Sequence, residues 1–322
     1  MEIIESLEEL VTKDLSGRGV IRYLLWGVKD RSRSPLKEAL DTVTSVVSNG
    51  SLVVIVTGFR PPPKYVQESD GPLGAAALTR VLRVGLGAKV LLITDGYRDS
   101  LSALEESLST LGIDYLSKCL LGSVKEFDVC IEALPTNELM LKLVTTEVAN
   151  LEPVLTVFIE RVGPNYLGVM HSMGGLDVSA YNVSINELHS RLVKCGSLSI
   201  GIGDGGNEVG MGVIEDVVRK YVPYGSRCLC PCMGGIACSL RTDVLIPAAI
   251  SNWGAYALAA LIAKYLGREE LVMKPHEEVR GLRNLSLVGV VDGVLGISSA
   301  SVDSVPAEVS AGVVSKILKL IK

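Results

Sequence analysis

The stretch Ser199-Ile200-Gly201-Ile202-Gly203-Asp204-Gly205-Gly206-Asn207-Glu208-Val209-Gly210-Met211-Gly212 reads as a strand, a glycine turn and the entry to a helix. Leu198–Ile202 is a short apolar run of strand length. Val209, Val213, Val217 and Tyr221 then fall near one face of a helix expected over Asn207–Tyr221, with Ile214 and Val218 beside them. Six glycines between Gly201 and Gly212 call for positive φ or very close backbone approach, and the free N–H groups of a helix start suit an anion. Read literally, Gly201, Gly203 and Gly206 match the dinucleotide fingerprint G-x-G-x-x-G. Asp204 would then face the pyrophosphate, and no strand ending in Asp or Glu follows about 20 residues later to hold a ribose. The loop offers instead backbone donors for a carboxylate and two acids, Asp204 and Glu208, for an ammonium group, a proton or a metal.

The same strand-then-helix unit recurs in both directions. Strands are expected at Leu52–Thr57, Val90–Thr94, Asp128–Glu132, Val154–Glu160, Leu198–Ile202, Asp243–Ile246 and Leu287–Val291. Helices are expected at Pro72–Val84, Ser100–Leu111, Asn137–Glu147, Asn186–Cys195, Asn207–Tyr221, Trp253–Leu266 and Pro306–Lys319. This alternation predicts an α/β fold with a three-layer, doubly wound, mostly parallel sheet. Residues 1–50 show helical spacing (Ile4, Leu7, Val11, then Leu36, Leu40, Val43, Val47) and read as a helical N-terminal extension; residues 51–322 read as a single α/β domain.

The 322 residues allow a sizeable core, and with 48% hydrophobic but only 5% aromatic residues that core is aliphatic. A net charge of −5 and a pI near 5.4, with no Lys/Arg block, exclude a nucleic-acid or anionic-membrane footprint. The acidic start Met1-Glu2-Ile3-Ile4-Glu5 lacks the features of a secretory signal, so a cytoplasmic location is expected. The uncharged run Val244–Ala263 approaches membrane-spanning length, but Pro247, Ser251, Asn252 and Gly254 break it into strand, loop and helix. Its helix is either core or the face of a homo-oligomer. Seven cysteines are too few and too uneven for a secreted scaffold. Cys228, Cys230 and Cys232, with Cys238 following, are spaced by single residues rather than the two to four usual for zinc, which favours buried or loop thiols, with a disulfide as the alternative in a hyperthermophile.

In doubly wound sheets ligands bind outside the carboxyl ends of the strands. The first strand is followed there by Thr57-Gly58-Phe59, the proline-rich Arg60–Lys64, and Glu68-Ser69-Asp70-Gly71-Pro72 opening a helix. The second ends at Thr94-Asp95-Gly96 and the fourth at Glu160-Arg161-Val162-Gly163-Pro164. Carboxylates thus recur at one edge of the sheet.

Glu68–Pro72, Ile159-Glu160-Arg161 with Gly163-Pro164, Gly201–Gly212, Ser251-Asn252-Trp253-Gly254-Ala255-Tyr256-Ala257-Leu258 and Val288-Gly289-Val290-Val291-Asp292-Gly293 together resemble the C-terminal domain of D-glutamate cyclases, over nearly the whole chain. The resemblance implies conversion of D-glutamate to 5-oxo-D-proline with loss of water. It also implies that vertebrate members have an extra N-terminal domain related to hydro-lyases, with no counterpart ahead of the helical lead-in here. Ring closure needs the α-ammonium to lose a proton and attack the γ-carboxyl carbon while an oxyanion and a leaving oxygen are neutralised. Asp204 or Glu208 is the expected base, with Asn207 beside them. Glu160 and Glu68, with Asp70 nearby, would hold the ammonium. Arg161, His171 or the amides of Gly205, Gly206 and Asn207 would take the carboxylates, and Asn252 is a further substrate-binding candidate. His189 and His276 are expected to be structural. So many acids repel one another unless a cation sits among them, so a divalent metal, Mg²⁺, Mn²⁺ or Ca²⁺, is a candidate cofactor with Asp204, Glu208 and Glu160 as ligands. Two other readings stay open: a nucleotide-binding oxidoreductase or transferase using the Gly201–Gly212 loop, and a non-catalytic module that binds a small acid.

Overall fold

Val53 and Ile55 of the first strand turn to one core while Val54 and Val56 turn to another, so this β-branched run is buried on both faces. That is the pattern of a parallel strand covered by helices on each side. A computed structural model describes residues 2–32, 34–119 and 126–322. Seven parallel strands form its sheet: β1 (Leu52–Gly58), β2 (Lys89–Asp95), β3 (Leu116–Ser117), β4 (Val129–Leu134), β5 (Leu155–Arg161), β6 (Leu198–Gly203) and β7 (Val244–Pro247). Their order is β3-β4-β2-β1-β5-β6-β7. A disulfide joins Cys119 to Cys130 on β4. A two-residue hairpin, β8 (Ser301–Val302) and β9 (Val305–Pro306), stands apart from the sheet.

One face of the sheet is covered by α6 (Glu138–Asn150) and α7 (Asn186–Lys194), which bury Val144, Val148, Leu188 and Leu192. The other face packs against α4 (Pro72–Arg80), α5 (Arg98–Thr110) and α9 (Ser251–Tyr265). α2 (Ile21–Lys29) and α3 (Pro35–Val46) extend this layer over β7, and α1 (Glu2–Val11), α10 (Pro275–Leu287) and α11 (Ala307–Ile321) pack outside it. Every residue of α9 from Ser251 to Ala263 is buried within this chain. A helix apolar all round belongs inside a core, so the Val244–Ala263 run is strand, loop and core helix. Among the described residues no helix is long and apolar enough to cross a membrane.

Two expected elements differ. Leu287–Val291 is not a strand: Leu287 closes α10, and Val291 makes only a single bridge, to Glu68. Pro275 in the first turn, with the Glu277 carboxylate accepting the Lys274 backbone N–H at 2.7 Å, starts that helix inside a segment too polar to show it. The helix expected from Asn207 begins only at Glu215, as α8 (Glu215–Tyr221), after a 3₁₀ turn over Gly212–Ile214. Residues 207–211 double back on the sheet instead: an added Cβ on Gly201 would lie 2.9 Å from the Gly210 Cα, and Gly210 has φ +106°. Those two glycines serve backbone contact.

The strand order places a switch point between β1 and β5, because the chain winds outward from β1 through β2 and β4 and then returns to β1's other side. Loops leaving β1 and β5 part there and open a crevice. A register shift between Thr57 and Gly58 against β5, with Glu160 at φ +44°, forms a bulge at its floor. Bulges re-aim a side chain, and this one turns Glu160 into the crevice.

Candidate active site

A cavity of about 330 Å³ occupies the crevice. Glu68 enters it from the β1 loop, Glu160 from β5, Asp204 and Asn207 from the β6 loop, Arg18 from the α1–α2 loop and Asp303 from the β8–β9 hairpin. Asp303 and Ser304 have φ of +48° and +66°, as a two-residue hairpin turn requires. Buried Asp292 fixes that hairpin, its carboxylate accepting the Ser304 N–H at 2.8 Å and the Ser301 hydroxyl at 2.5 Å.

Arg18 is the cation that faces these acids. Its guanidinium donates to both Asp204 oxygens, at 3.1 and 2.6 Å, and to the Ala249 carbonyl at 2.6 Å, and it pairs with Asp303 at 3.0 Å. Burial works against its charge, but Asp204 and Asp303 outweigh that and raise its pKa further. One guanidinium does not balance the acids. Burial, followed by Asp303, Asp70 and Asp204, raises the Glu68 pKa well above the carboxylate range. Burial and then Asp204 and Glu208 do the same to Glu160. Asp303 is raised by burial despite Arg18. The Glu68 Oε1 is buried with no hydrogen-bond partner among the described residues.

Below the cavity two helix starts interlock. Asp70 accepts the N–H groups of Ser251 and Asn252 at 2.8 and 2.7 Å, capping α9. Asn252 returns the arrangement, its Oδ1 accepting the N–H groups of Gly71 and Gly74 at 3.0 and 2.7 Å at the start of α4. The Ser251 hydroxyl donates to Glu160 at 2.6 Å. One oxygen each of Asp70, Glu160 and Asp204 lies within 4.8 Å of the others.

A family model described as "D-glutamate cyclase-like, C-terminal" matches residues 7–318. The chain belongs to the D-glutamate cyclase-like C-terminal family. The human protein "D-glutamate cyclase, mitochondrial" is 29% identical over 273 residues, which cover 80% of this chain and 38% of the human one. The chain therefore matches well under half the length of that relative.

Within this family member the crevice gathers some of the residues expected from sequence and not others. Glu68, Glu160, Asp204 and Asn207 line it, and Asp70 and Asn252 set its floor. Glu208 does not face it as a free acid: its carboxylate accepts the N–H groups of Asp204, Gly205 and Gly206 at 3.2, 2.7 and 2.8 Å. The amides of Gly205 and Gly206, expected to bind a substrate carboxylate or a pyrophosphate, are thus filled from within the loop. Asn207 donates its side-chain amide to the His171 carbonyl at 2.9 Å. Arg161 points away from Glu160, fully buried, with its guanidinium 2.7 Å from Asp95 and donating to the carbonyls of Gly58 and Val183. The His171 ring meets Cys230, not the cavity. Arg18 and Asp303 do not stand out in the sequence pattern. Glycines on both sides of Arg18, each at positive φ, and a two-residue turn between Val302 and Val305 are the signals that mark them.

Glu208→Gln tests the internal cap. Burial and then Asp204 push the Glu208 pKa from 4.5 to about 7, although backbone N–H donors act against the rise. The folded state therefore binds this proton more tightly, and the stability it contributes is lost as pH rises from 4.5 towards 7. The glutamine variant, with one acceptor oxygen for three N–H groups, is expected to be about 1–3 kcal/mol less stable near pH 4.5. That deficit narrows towards pH 7, which urea unfolding at the two pH values measures.

Proposed function

We propose that this chain converts D-glutamate to 5-oxo-D-proline with loss of water. The observation that carries the proposal is a crevice in which Glu68 and Glu160, both with raised pKa, face the Arg18–Asp204 pair. Membership of a D-glutamate cyclase-like family supports the choice of substrate. In the reaction the α-ammonium loses two protons, nitrogen bonds to the carbon of the γ-carboxyl group, and one oxygen of that group leaves with both protons as water. No proton is exchanged with solvent overall. Two carboxyl groups, one ionised and one neutral, suit this transfer, because one takes a proton from nitrogen as the other gives one to oxygen.

Glu160, held by the Ser251 hydroxyl, is the base in this reading, and Glu68, with an oxygen that has no partner among the described residues, is the acid. Asp204 holds the ammonium and is itself held by Arg18. Asp70, Glu160 and Asp204 offer the hard oxygen atoms that suit Mg²⁺, Mn²⁺ or Ca²⁺, and such a cation would balance the acids and polarise the γ-carboxyl group.

Incubation of the pure protein with D-glutamate, L-glutamate or 5-oxo-D-proline, with and without Mg²⁺ or Mn²⁺, tests the proposal by chiral chromatography. The expected result is turnover of the D-isomer that disappears in Asp204→Asn. An absence of turnover in both directions under every condition would sink it.

A further inference from the structure

We propose that His171, Cys228, Cys230 and Cys232 hold one zinc ion in a closed tetrahedral site that ties two loops into a wall of the crevice. The Sγ atoms of the three cysteines form a nearly equilateral triangle: Cys228 to Cys230 is 3.5 Å, Cys228 to Cys232 3.3 Å and Cys230 to Cys232 3.3 Å. The His171 Nε2 caps it, 3.3 Å from Cys230 and 3.5 Å from Cys232. All four ligand atoms lie within 4.8 Å of one another. In a tetrahedron, zinc bonds of about 2.3 Å to sulfur and 2.0–2.1 Å to nitrogen place the ligand atoms roughly 3.6–3.8 Å apart. Five of the six edges, at 3.3–3.5 Å, are somewhat shorter than that, and the sixth, from His171 to Cys228, is no longer than 4.8 Å.

The same distances exclude a disulfide and a multi-iron cluster. A disulfide needs about 2.05 Å and would draw two sulfurs together and leave the third out. A multi-iron cluster needs its thiolates much farther apart than 3.5 Å, so the site takes a single ion, and three thiolates with one imidazole select zinc. The single-residue spacing is shorter than the loop that zinc sites usually use. Here the segment turns, with the Met233 N–H donating to the Cys230 carbonyl at 3.2 Å, and the turn brings the three thiols to one side. Cys232 also receives the Gly234 N–H at 3.4 Å and the Asn165 side-chain amide at 3.7 Å, donors that orient its sulfur as outer partners of a metal ligand do.

Four protein ligands leave no open position, so the ion's role is structural. His171 explains why it matters to the cleft. Its ring enters the cysteine triangle, its carbonyl accepts the Asn207 amide, and the next residues, Ser172, Met173 and Gly174, line the cavity. The Leu229 N–H donates to the Gly175 carbonyl, joining the same two loops beside the metal.

Metal analysis of the full chain, purified without metal resin, is expected to find one zinc per chain. Cobalt exchange is expected to give the thiolate-to-cobalt charge-transfer band and tetrahedral visible bands, which carboxylate-bound cobalt lacks. Cys230→Ser, Cys232→Ser and His171→Ala lose the zinc, whereas Cys195→Ser, at a cysteine outside the triangle, keeps it. Stripping the ion is expected to speed amide exchange over 163–180 and 224–240. The proposal is overturned if wild-type protein, reduced and offered zinc or cobalt, shows no thiolate–metal band while all three thiols react freely with a thiol reagent. It is also overturned if folded cysteine variants keep the full zinc content. The cobalt spectrum of the wild type decides the matter even where a variant does not fold.

Discussion

Arg18→Leu is expected to lower the unfolding free energy by about 3–5 kcal/mol at pH 7 and to abolish turnover, because it leaves buried charges without their partner. Asp204 and Asp303 are both nearly inaccessible to solvent, and the guanidinium is the group that holds them together. Acid should relieve the loss. Asp303, Glu68 and Glu160 already have raised pKa values, so the folded state binds protons more tightly than the unfolded chain and stability falls as pH rises. Without Arg18 the raised values rise further, and the variant regains stability as pH falls and these groups become neutral. Urea unfolding at pH 5 and pH 7 measures the recovery; an equal deficit at both would show that Arg18 acts through packing alone. Arg18→Lys is expected to restore only part of the stability, since a single ammonium cannot reproduce the two-oxygen contact with Asp204.

Glu160→Gln is expected to cut the rate by about 10²- to 10⁴-fold, the usual contribution of a positioned base, without weakening the fold. Burial and the neighbouring acids disfavour its charged form, so its ionisation costs stability as pH rises. Glutamine has nearly the same shape, still accepts the Ser251 hydroxyl through its remaining oxygen, and has no charge to disfavour. The variant should therefore melt at or above the wild-type temperature at pH 8, with the difference shrinking towards pH 5. Melting curves paired with chiral product analysis separate the two roles. A variant that loses activity and stability together would make Glu160 a structural residue.

The winding of the sheet and the acidic edge of the crevice were readable because both rest on local pattern. Val53–Val56 and Val90–Ile93 are runs that only a doubly covered strand buries, and acids lie in the loop after β1 and at the end of β5. Side-chain direction was less accessible. Glu160 and Arg161 are neighbours in sequence, yet the bulge at Glu160 aims it into the crevice while Arg161 pairs with Asp95 behind it. Glu208 looked like a free acid because nothing local shows that three N–H groups of its own loop converge on it. The α10 helix was hidden because its buried face is only Glu278, Gly281, Leu282 and Leu285, and the apolar run starting at Leu287 straddles its end. Arg18 and Asp303 reach the site through packing between distant segments, which no window of sequence reports.

That separation bears on how the protein comes into being. Arg18 leaves the ribosome before any strand of the sheet, Asp204 follows after six of those strands have been made, and Asp303 comes after all seven. Domains form as units from contacts across the chain, and contacts between remote segments are the slowest to close. The acids of the crevice are therefore assembled around their arginine only after the whole sheet has been made, so a nascent chain stalled before the β8–β9 hairpin has its sheet but lacks a finished pocket.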